Sequence, residues 1–304
     1  MTAGHVAGLA ADEAPGIERA PVRWSYCTNG FANHRLADAL TVLSDLGYAG
    51  VALTLDHNHL DPFDARLADQ VTAVARRLRD AGLSVVIETG ARYLLDPWRK
   101  HSPVLMSPDG RERRIDLIVR AVRVGADLGA ESVCFWSGTA PGGMPGEVAW
   151  ELLADGCARI LAEAERAGQR LGFEPEPGML VDNLAGYLRL RDMLGAPGAF
   201  GLTLDIGHCR CLEPYPVPDC VRLAGGHLAH VQLDDMRRGV HEHLEPGTGE
   251  IDFPPVLAAL AGTGYRGLVS VELPRHSHDA PRVAREALRF LRAAERQAVP
   301  HVGR

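Results

Sequence analysis

Four side chains at the ends of short hydrophobic, β-branched segments have the residue types of a metal site. Three are carboxylates, Glu174, Asp205 and Glu272, and one is the imidazole of His230. An unpaired carboxylate is costly to bury, and several carboxylates that face one another repel unless a cation lies between them. This mixed oxygen and nitrogen set suits Mn²⁺, Co²⁺, Mg²⁺ or Zn²⁺. The pattern therefore predicts a divalent-metal cofactor.

The hydrophobic segments recur along the chain and alternate with amphipathic ones. The strand candidates are residues 23–28, 50–55, 84–89, 132–136, 171–175, 201–206, 229–233 and 268–273. The segments between them have helix spacing, and several end in glycine, as helix C-caps do. Strands that alternate with helices indicate a parallel sheet. No GxGxxG follows the first strand, so a single (β/α)8 TIM barrel is favoured over an open doubly wound sheet.

The length and composition limit the alternatives. A chain of 304 residues fits two small domains or one large barrel, and the strand pattern favours one barrel over residues 21–297. We predict a flexible tail over residues 1–20 and a C-terminal tail over residues 298–304. The formal charge of −7 does not suit a protein that coats nucleic acid.

Targeting signals are not evident. No apolar run approaches the roughly 20 residues of a membrane span, and the first 20 residues lack the basic and apolar regions of a secretory signal. The six cysteines contain no CxxC pair, which favours free thiols in a reducing compartment. We therefore expect a cytoplasmic protein with neither a membrane nor a nucleic-acid partner.

Further polar residues are expected beside the four at the barrel mouth, because the C-terminal ends of parallel strands converge on one face. Glu88 lies at the end of the third strand and His57 follows the second, and we predict that they contact substrate. Trp136 ends the fourth strand and would either form an apolar wall against a sugar ring or serve in packing. Arg99 belongs to a basic cluster that would hold a phosphate or carboxylate, or would simply be a solvated loop.

Several motifs at these positions resemble the xylose isomerase-like TIM-barrel superfamily. They are LGFEPEP with Glu174, LTLDIGH with Asp205 and His208, HVQLDD with His230, HLEPGTGEIDF from His243, and LVSVELP with Glu272. The resemblance extends over about residues 22–296. This superfamily includes sugar phosphate isomerases and epimerases, inosose-processing enzymes and endonuclease IV, so the resemblance implies the fold more closely than the substrate.

The resemblance implies roles for individual residues. It implies that Glu174, Asp205, His230 and Glu272 bind one divalent metal. It also implies that His208 contacts substrate and that Arg237 or Arg238 approaches the hydroxyls of the substrate. The endonuclease branch uses an Asp-x-His pair for an additional metal, and here the aligned pair is His241-x-His243. Two readings stay open: His208, His241 and His243 bind a second metal, or they lie in a loop whose imidazoles touch substrate or nothing.

These observations predict a metal-dependent isomerase or epimerase of carbohydrate metabolism. Its substrate would be a sugar, polyol or cyclitol, phosphorylated or not. Proton transfer next to a carbonyl would pass through an enediolate that the metal stabilises, with Glu174 and Glu272 as catalytic base and acid. An inosose-type dehydratase or lyase shares this step and stays open. A phosphodiesterase or endonuclease IV-like hydrolase is disfavoured by the acidic charge. Relatives often pair, so a homo-oligomer is also open.

Overall fold

The computed structural model describes residues 21–298. The tails predicted over residues 1–20 and 298–304 lie outside the described residues, apart from residue 298. The domain bounds therefore stay a prediction.

The strands form a closed barrel and one separate hairpin. They are β1 (Arg23–Cys27), β2 (Gly50–Thr54), β3 (Ser84–Glu88), β4 (Val133–Trp136), β5 (Leu171–Glu174), β6 (Phe200–Asp205), β7 (Leu228–Leu233), β8 (Asp235–Arg237), β9 (Val240–Leu244) and β10 (Leu268–Val271). Strands β1 to β7 and β10 close a parallel barrel, in which β10 pairs with both β7 and β1. Strands β8 and β9 form an antiparallel pair. The predicted (β/α)8 barrel is confirmed.

Helices occupy the connections between barrel strands. They are α1 (Leu36–Leu46), α2 (Leu67–Asp80), α3 (Arg111–Leu128), α4 (Gly146–Ala167), α5 (Leu184–Met193), α6 (Ile206–Leu212), α7 (Val217–Ala224), α8 (Phe253–Gly262) and α9 (Ala280–Ala298). Their apolar faces pack on the outward-facing strand residues in one hydrophobic cluster, which includes Leu40 of α1, Val74 of α2 and Val85 of β3. None of the helices in residues 21–298 is both long and apolar enough to cross a membrane.

The barrel interior is narrow, and most of the side chains that line it are small. Cys27, Ala52, Val86 and Cys134 form a cluster separate from the outer one. A Cβ at Gly172 of β5 would lie 2.4 Å from Oγ1 of Thr203 on β6, so only glycine fits there. Because side chains on a strand alternate between its two faces, the residues two positions further along each strand also point inward. These residues form the barrel mouth.

Candidate active site

A cavity of about 290 Å³ opens at the C-terminal ends of the barrel strands. Most of the residues predicted from the sequence as site residues line it: His57, Glu88, Trp136, Glu174, His208, His241, His243 and Glu272. Parallel strands bring these residues to one face although they are far apart in the chain. The structure thus assembles a polar mouth where barrel enzymes carry their chemistry.

Asp205 links two groups of potential metal ligands at this mouth. Ligand atoms of Glu174, Asp205 and His208 all lie within 4.8 Å of one another, and so do those of Asp205, His243 and Glu272. Oδ1 of Asp205 accepts a hydrogen bond of 2.8 Å from the backbone N–H of His208 and so caps α6. Oδ2 of Asp205 is buried with no hydrogen-bond partner among residues 21–298. This donor set fits a divalent cation.

Like charges in the mouth shift carboxyl pKa values upward. Burial, and then the charge of Glu272, raise the pKa of Glu174 well above its ordinary value. The same two causes raise the pKa of Glu88, and burial raises the pKa of Asp205. The cluster therefore favours either bound protons or a bound cation, because burial and repulsion both disfavour the carboxylate form.

Asn29 holds Glu272 in place. It lies in a 3₁₀ turn directly after β1, and its Nδ2 donates a hydrogen bond of 2.9 Å to Oε1 of Glu272. Asn29 was not among the residues predicted from the sequence. Its position just after a barrel strand was the available signal.

His208 presents one ring nitrogen to the mouth. Its Nδ1 lies 3.1 Å from the carbonyl oxygen of Pro175 and 3.5 Å from Oε1 of Glu174. Its Nε2 is buried with no hydrogen-bond partner in the described part of the chain. Burial, and then the charge of His243, lower the pKa of His208 to about 3. A neutral ring that donates from Nδ1 keeps its Nε2 lone pair for a metal or substrate.

His243 forms an ion pair with a buried carboxylate. Its Nδ1 contacts Oδ2 of Asp234, which is fully buried. Burial lowers the pKa of His243, but the charges of Asp234, Glu272 and Asp205 outweigh it and raise the pKa to about 10. A Cβ at Gly207 would lie 1.8 Å from Oδ1 of Asp234, so glycine there makes room for this carboxylate. Carboxylates behind an imidazole are common orienting partners of metal-binding histidines.

The structure also brings the three predicted histidines together. Ligand nitrogens of His208, His241 and His243 lie within 4.8 Å of one another. Nε2 of His241 is buried with no hydrogen-bond partner among residues 21–298. Burial, followed by the charges of His208 and His243, lowers the pKa of His241 to about 3. A second metal at this three-histidine group stays a prediction.

His230 occupies a deeper level of the barrel than Asp205. It pairs in register with Thr203, whereas Asp205 pairs with Gln232, and it is fully buried. Its ligand atom groups with those of Glu88 and Cys134, and its Nε2 lies 4.0 Å from Oε1 of Glu88. Two residues along a strand span about 6.6 Å. The imidazole that the structure groups with Asp205 and Glu272 is that of His243.

Gln232 stands at the level where His230 was expected. Its side chain is 1% exposed, and its Nε2 donates a hydrogen bond of 3.0 Å to Oε1 of Glu88. This contact fixes Glu88 on the mouth wall. Gln232 was not among the residues predicted from the sequence, although strand alternation from His230 points the two side chains to the same face.

Trp136 forms part of the cavity wall. Its ring lies 4.7 Å, centroid to centroid, from that of His101, and the guanidinium of Arg114 sits 4.9 Å from the indole centroid. The ring is buried and still lines the cavity. Trp136 therefore serves both in packing and as an apolar wall.

The predicted arginines lie outside the mouth cavity. Arg237 forms an ion pair with Glu242, and Arg238 donates to the carbonyl oxygens of Arg210 and Glu213. Arg99 pairs with Asp96 at 2.7 Å and lines a neighbouring cavity. A substrate contact by any of the three stays a prediction.

Asp235 organises the segment that follows β9. Its carboxylate accepts backbone hydrogen bonds of 2.8–3.0 Å from Met236, Gly247, Gly249 and Ile251. Because hydrogen bonds to a charged, buried group are strong, Asp235→Ala is expected to lower the free energy of unfolding by about 3 kcal/mol. Urea denaturation measures this loss. Asp235→Asn keeps one acceptor oxygen and should lose less. A change below about 0.5 kcal/mol in Asp235→Ala would contradict this role.

His230 makes stability depend on pH. Burial lowers its folded-state pKa to about 3, whereas the unfolded-state value is about 6.5. Below pH 6.5 the unfolded chain therefore binds the additional proton, and stability falls by about 1.4 kcal/mol per pH unit as the pH decreases. His230→Asn is expected to remove this contribution in metal-free protein, measured by urea denaturation between about pH 6.5 and 5. His278→Asn, at an exposed position, is the control. An unchanged slope in His230→Asn would refute the prediction.

Comparisons with known proteins agree with this architecture. The sequence matches the family described as "Xylose isomerase-like TIM barrel" over residues 40–294. It is 31% identical to the rhizopine catabolism protein MocC of Rhizobium meliloti over 148 residues, which cover 43% of this chain and 45% of that protein. It is 26% identical to the L-ribulose 3-epimerase of Mesorhizobium japonicum over 72% of this chain and 70% of that protein.

Solved structures show the same fold. A structure of L-ribulose 3-epimerase matches with a TM-score of 0.74 at 22% identity, over 93% of this chain and 100% of that chain. The IOLI protein with a bound zinc atom matches with a TM-score of 0.73 at 16% identity, over 92% and 100% of the respective chains. With most of its residues matched by the family description, the chain belongs to the xylose isomerase-like TIM barrel family.

Proposed function

We propose that this chain is a divalent-metal-dependent isomerase or epimerase that acts on a sugar or cyclitol by moving a proton next to a carbonyl. The observation that carries the proposal is the convergence of Glu174, Asp205 and Glu272 with two histidines at one barrel mouth. The names of the relatives support it, since they include L-ribulose 3-epimerase, L-ribulose-5-phosphate 3-epimerase and inosose dehydratase.

The residues that would hold the metal are Glu174, Asp205 and Glu272. We assign the imidazole position to His243 rather than His230, because His243 has a ligand atom within 4.8 Å of Asp205 and Glu272. When bound, the metal would act as a Lewis acid that polarises the substrate carbonyl. Oxygen and nitrogen donors without thiolate are compatible with Mn²⁺, Co²⁺, Mg²⁺ or Zn²⁺.

The protein groups would position the substrate and carry the proton. Glu272, held by Asn29, directly follows β10, and Glu174 is the last residue of β5. These strands lie on separate parts of the barrel wall, so the two carboxyl groups can face a planar intermediate from two sides. Proton transfer by a positioned carboxylate contributes about 10²- to 10⁴-fold to a rate. Trp136 would exclude water from one face of the substrate. Nε2 of His208 would contact an oxygen atom of the substrate.

Two other activities are separable from this one. A dehydratase would begin with the same proton abstraction and then expel a hydroxyl group. A hydrolase would need a second metal about 3.5–4 Å from the first, and the three-histidine group is the place where it would bind. Elemental analysis of the purified protein tests this point, because one tightly bound metal per chain is expected of the isomerase and two or three are expected of the hydrolase.

Product analysis tests the proposal itself. Metal-loaded protein is incubated with a panel of ketopentoses, ketohexoses, their phosphates and a keto-inositol, and the products are identified by chromatography and NMR. We expect an epimer or aldose–ketose isomer of at least one substrate. Loss of water from the keto-inositol, without epimer formation from any ketose, would establish a dehydratase instead. Hydrolysis of a phosphodiester with no change in any sugar would refute the proposal.

A further inference from the structure

A second cavity of about 600 Å³ adjoins the mouth cavity. Its walls come from the segments that follow β3, β4 and β5 and from His241 of β9. Lys100, His101, Glu176 and His241 line both cavities, so the second begins beside the proposed metal site. Ligand cavities typically measure about 300–1,000 Å³. The mouth cavity alone is at the lower limit, and the two together remain within the range.

The second cavity offers both donors and acceptors of hydrogen bonds. Ser102, Ser107 and Thr139 contribute hydroxyls, and Asp109 and Glu176 contribute carboxylates. Oγ of Ser107 accepts from the N–H of Val104 at 2.9 Å, which leaves its own proton free to be donated. A ligand with many hydroxyl groups satisfies such a lining. Two cations, Arg99 and Lys100, also line the cavity, but Arg99 is already paired with Asp96 at 2.7 Å. The two carboxylates outweigh the one remaining cation, so the lining does not attract a phosphate.

The cavity wall is held in shape by buried contacts. The side chain of Arg114 is 3% exposed, and it donates to the carbonyl oxygens of Pro103 and His101 at 2.8 and 2.9 Å. On the opposite wall, the N–H of Leu180 donates to the carbonyl oxygen of Gly138 at 3.0 Å. A preformed cavity lowers the entropic cost of binding.

We propose that this second cavity is a subsite for a neutral sugar ring, so that the substrate is a glycosylated ketose rather than a free one. The inference rests on the proposed function only for the identity of the reacting end. That end lies at Glu174 and Glu272, while the additional ring extends past Lys100 and Glu176 toward Thr139. The ring hydroxyls would bond to Ser107 and Asp109.

Three probes that share one reacting end test the proposal. They are D-fructose, D-fructose 6-phosphate and isomaltulose, in which glucose is attached to the O6 oxygen of fructose. Calorimetry gives the dissociation constants, and deuterium exchange next to the carbonyl is followed separately. Isomaltulose is expected to bind metal-loaded protein at least about 10-fold more tightly than fructose, about 1.4 kcal/mol. The proposed subsite would be refuted if isomaltulose and fructose bound equally or undetectably, or if fructose 6-phosphate bound more tightly than isomaltulose.

Variants locate the effect in the cavity. Thr139→Trp would fill it and is expected to reduce the ratio of the two affinities to near one, and Asp109→Ala, a smaller change, should lower the ratio several-fold. Thr72→Trp, on the exposed face of α2, is the control and should leave the ratio unchanged. An unchanged ratio in both cavity variants would overturn the proposal. If the cavity variants lower the ratio of the two affinities but no probe exchanges deuterium, the subsite is supported and the proposed reaction is refuted.

Discussion

Glu272→Gln is expected to slow deuterium exchange next to the substrate carbonyl by about 10²- to 10⁴-fold, the usual contribution of a general acid or base. Glutamine has nearly the shape of glutamate and can still accept the hydrogen bond from Asn29, but it cannot take up a proton. The variant should therefore fold as the wild type does. NMR in deuterium oxide measures the exchange directly.

Measuring the exchange with bound metal distinguishes loss of proton transfer from loss of the metal. Glu272 is one of several potential metal ligands near Asp205, so Glu272→Gln should still retain metal at millimolar concentrations. The exchange is measured with the site saturated. Glu165→Gln, at an exposed position on α4, is the matched control and should exchange at the wild-type rate. Undiminished exchange in metal-saturated Glu272→Gln would remove Glu272 from the proposed proton transfer.

Asp205→Asn is expected to weaken divalent-metal binding by more than about 100-fold, beyond the 10- to 100-fold loss typical of changes to residues behind the ligands. Asp205 is shared by the group that contains Glu174 and the group that contains Glu272. Asparagine keeps the cap of α6, since it is as good an N-cap residue as aspartate. The variant should therefore lose metal affinity without losing much stability.

Calorimetric titration with Mn²⁺ and thermal unfolding measure these two properties in parallel. Asp192→Asn, at an exposed position on α5, provides a control for the change in charge. Wild-type Mn²⁺ affinity in Asp205→Asn would exclude the shared site. A large loss of stability in metal-free Asp205→Asn would contradict the expectation that asparagine keeps the cap of α6.

Most of the barrel could be predicted from the sequence because each barrel strand is a continuous hydrophobic segment. The observed strand bounds differ from the predicted ones by no more than two residues at either end, as at β10, which begins as predicted and ends at Val271. Glycines that end helices were also predictable, and Gly47 and Gly168 have the positive φ of 85° and 65° that favours glycine. The hairpin of β8 and β9 was missed because its sequence is charged and shows no hydrophobic alternation.

The candidate site was predictable where strand ends determine it. Glu174 and Asp205 lie at the mouth because parallel strands end on one face. The imidazole was harder to place, because His243 reaches Asp205 only through the β8–β9 hairpin. The pairing of His230 with Thr203, rather than with Leu204, depends on a register shift between Leu202 and Thr203. Neither non-local pairing nor register can be read from one sequence.

Deuterium incorporation from solvent, compared between metal-loaded and metal-stripped protein, tests the central claim most directly. The substrate is whichever sugar or cyclitol the product analysis identifies, and the site is stripped with a chelator and reloaded with Mn²⁺. Deuterium next to the carbonyl should appear with loaded protein, disappear on stripping and return on reloading, because the proposed proton transfer needs a polarised carbonyl. Equal incorporation by stripped protein, or conversion without any incorporation under conditions of free solvent exchange, would contradict the account.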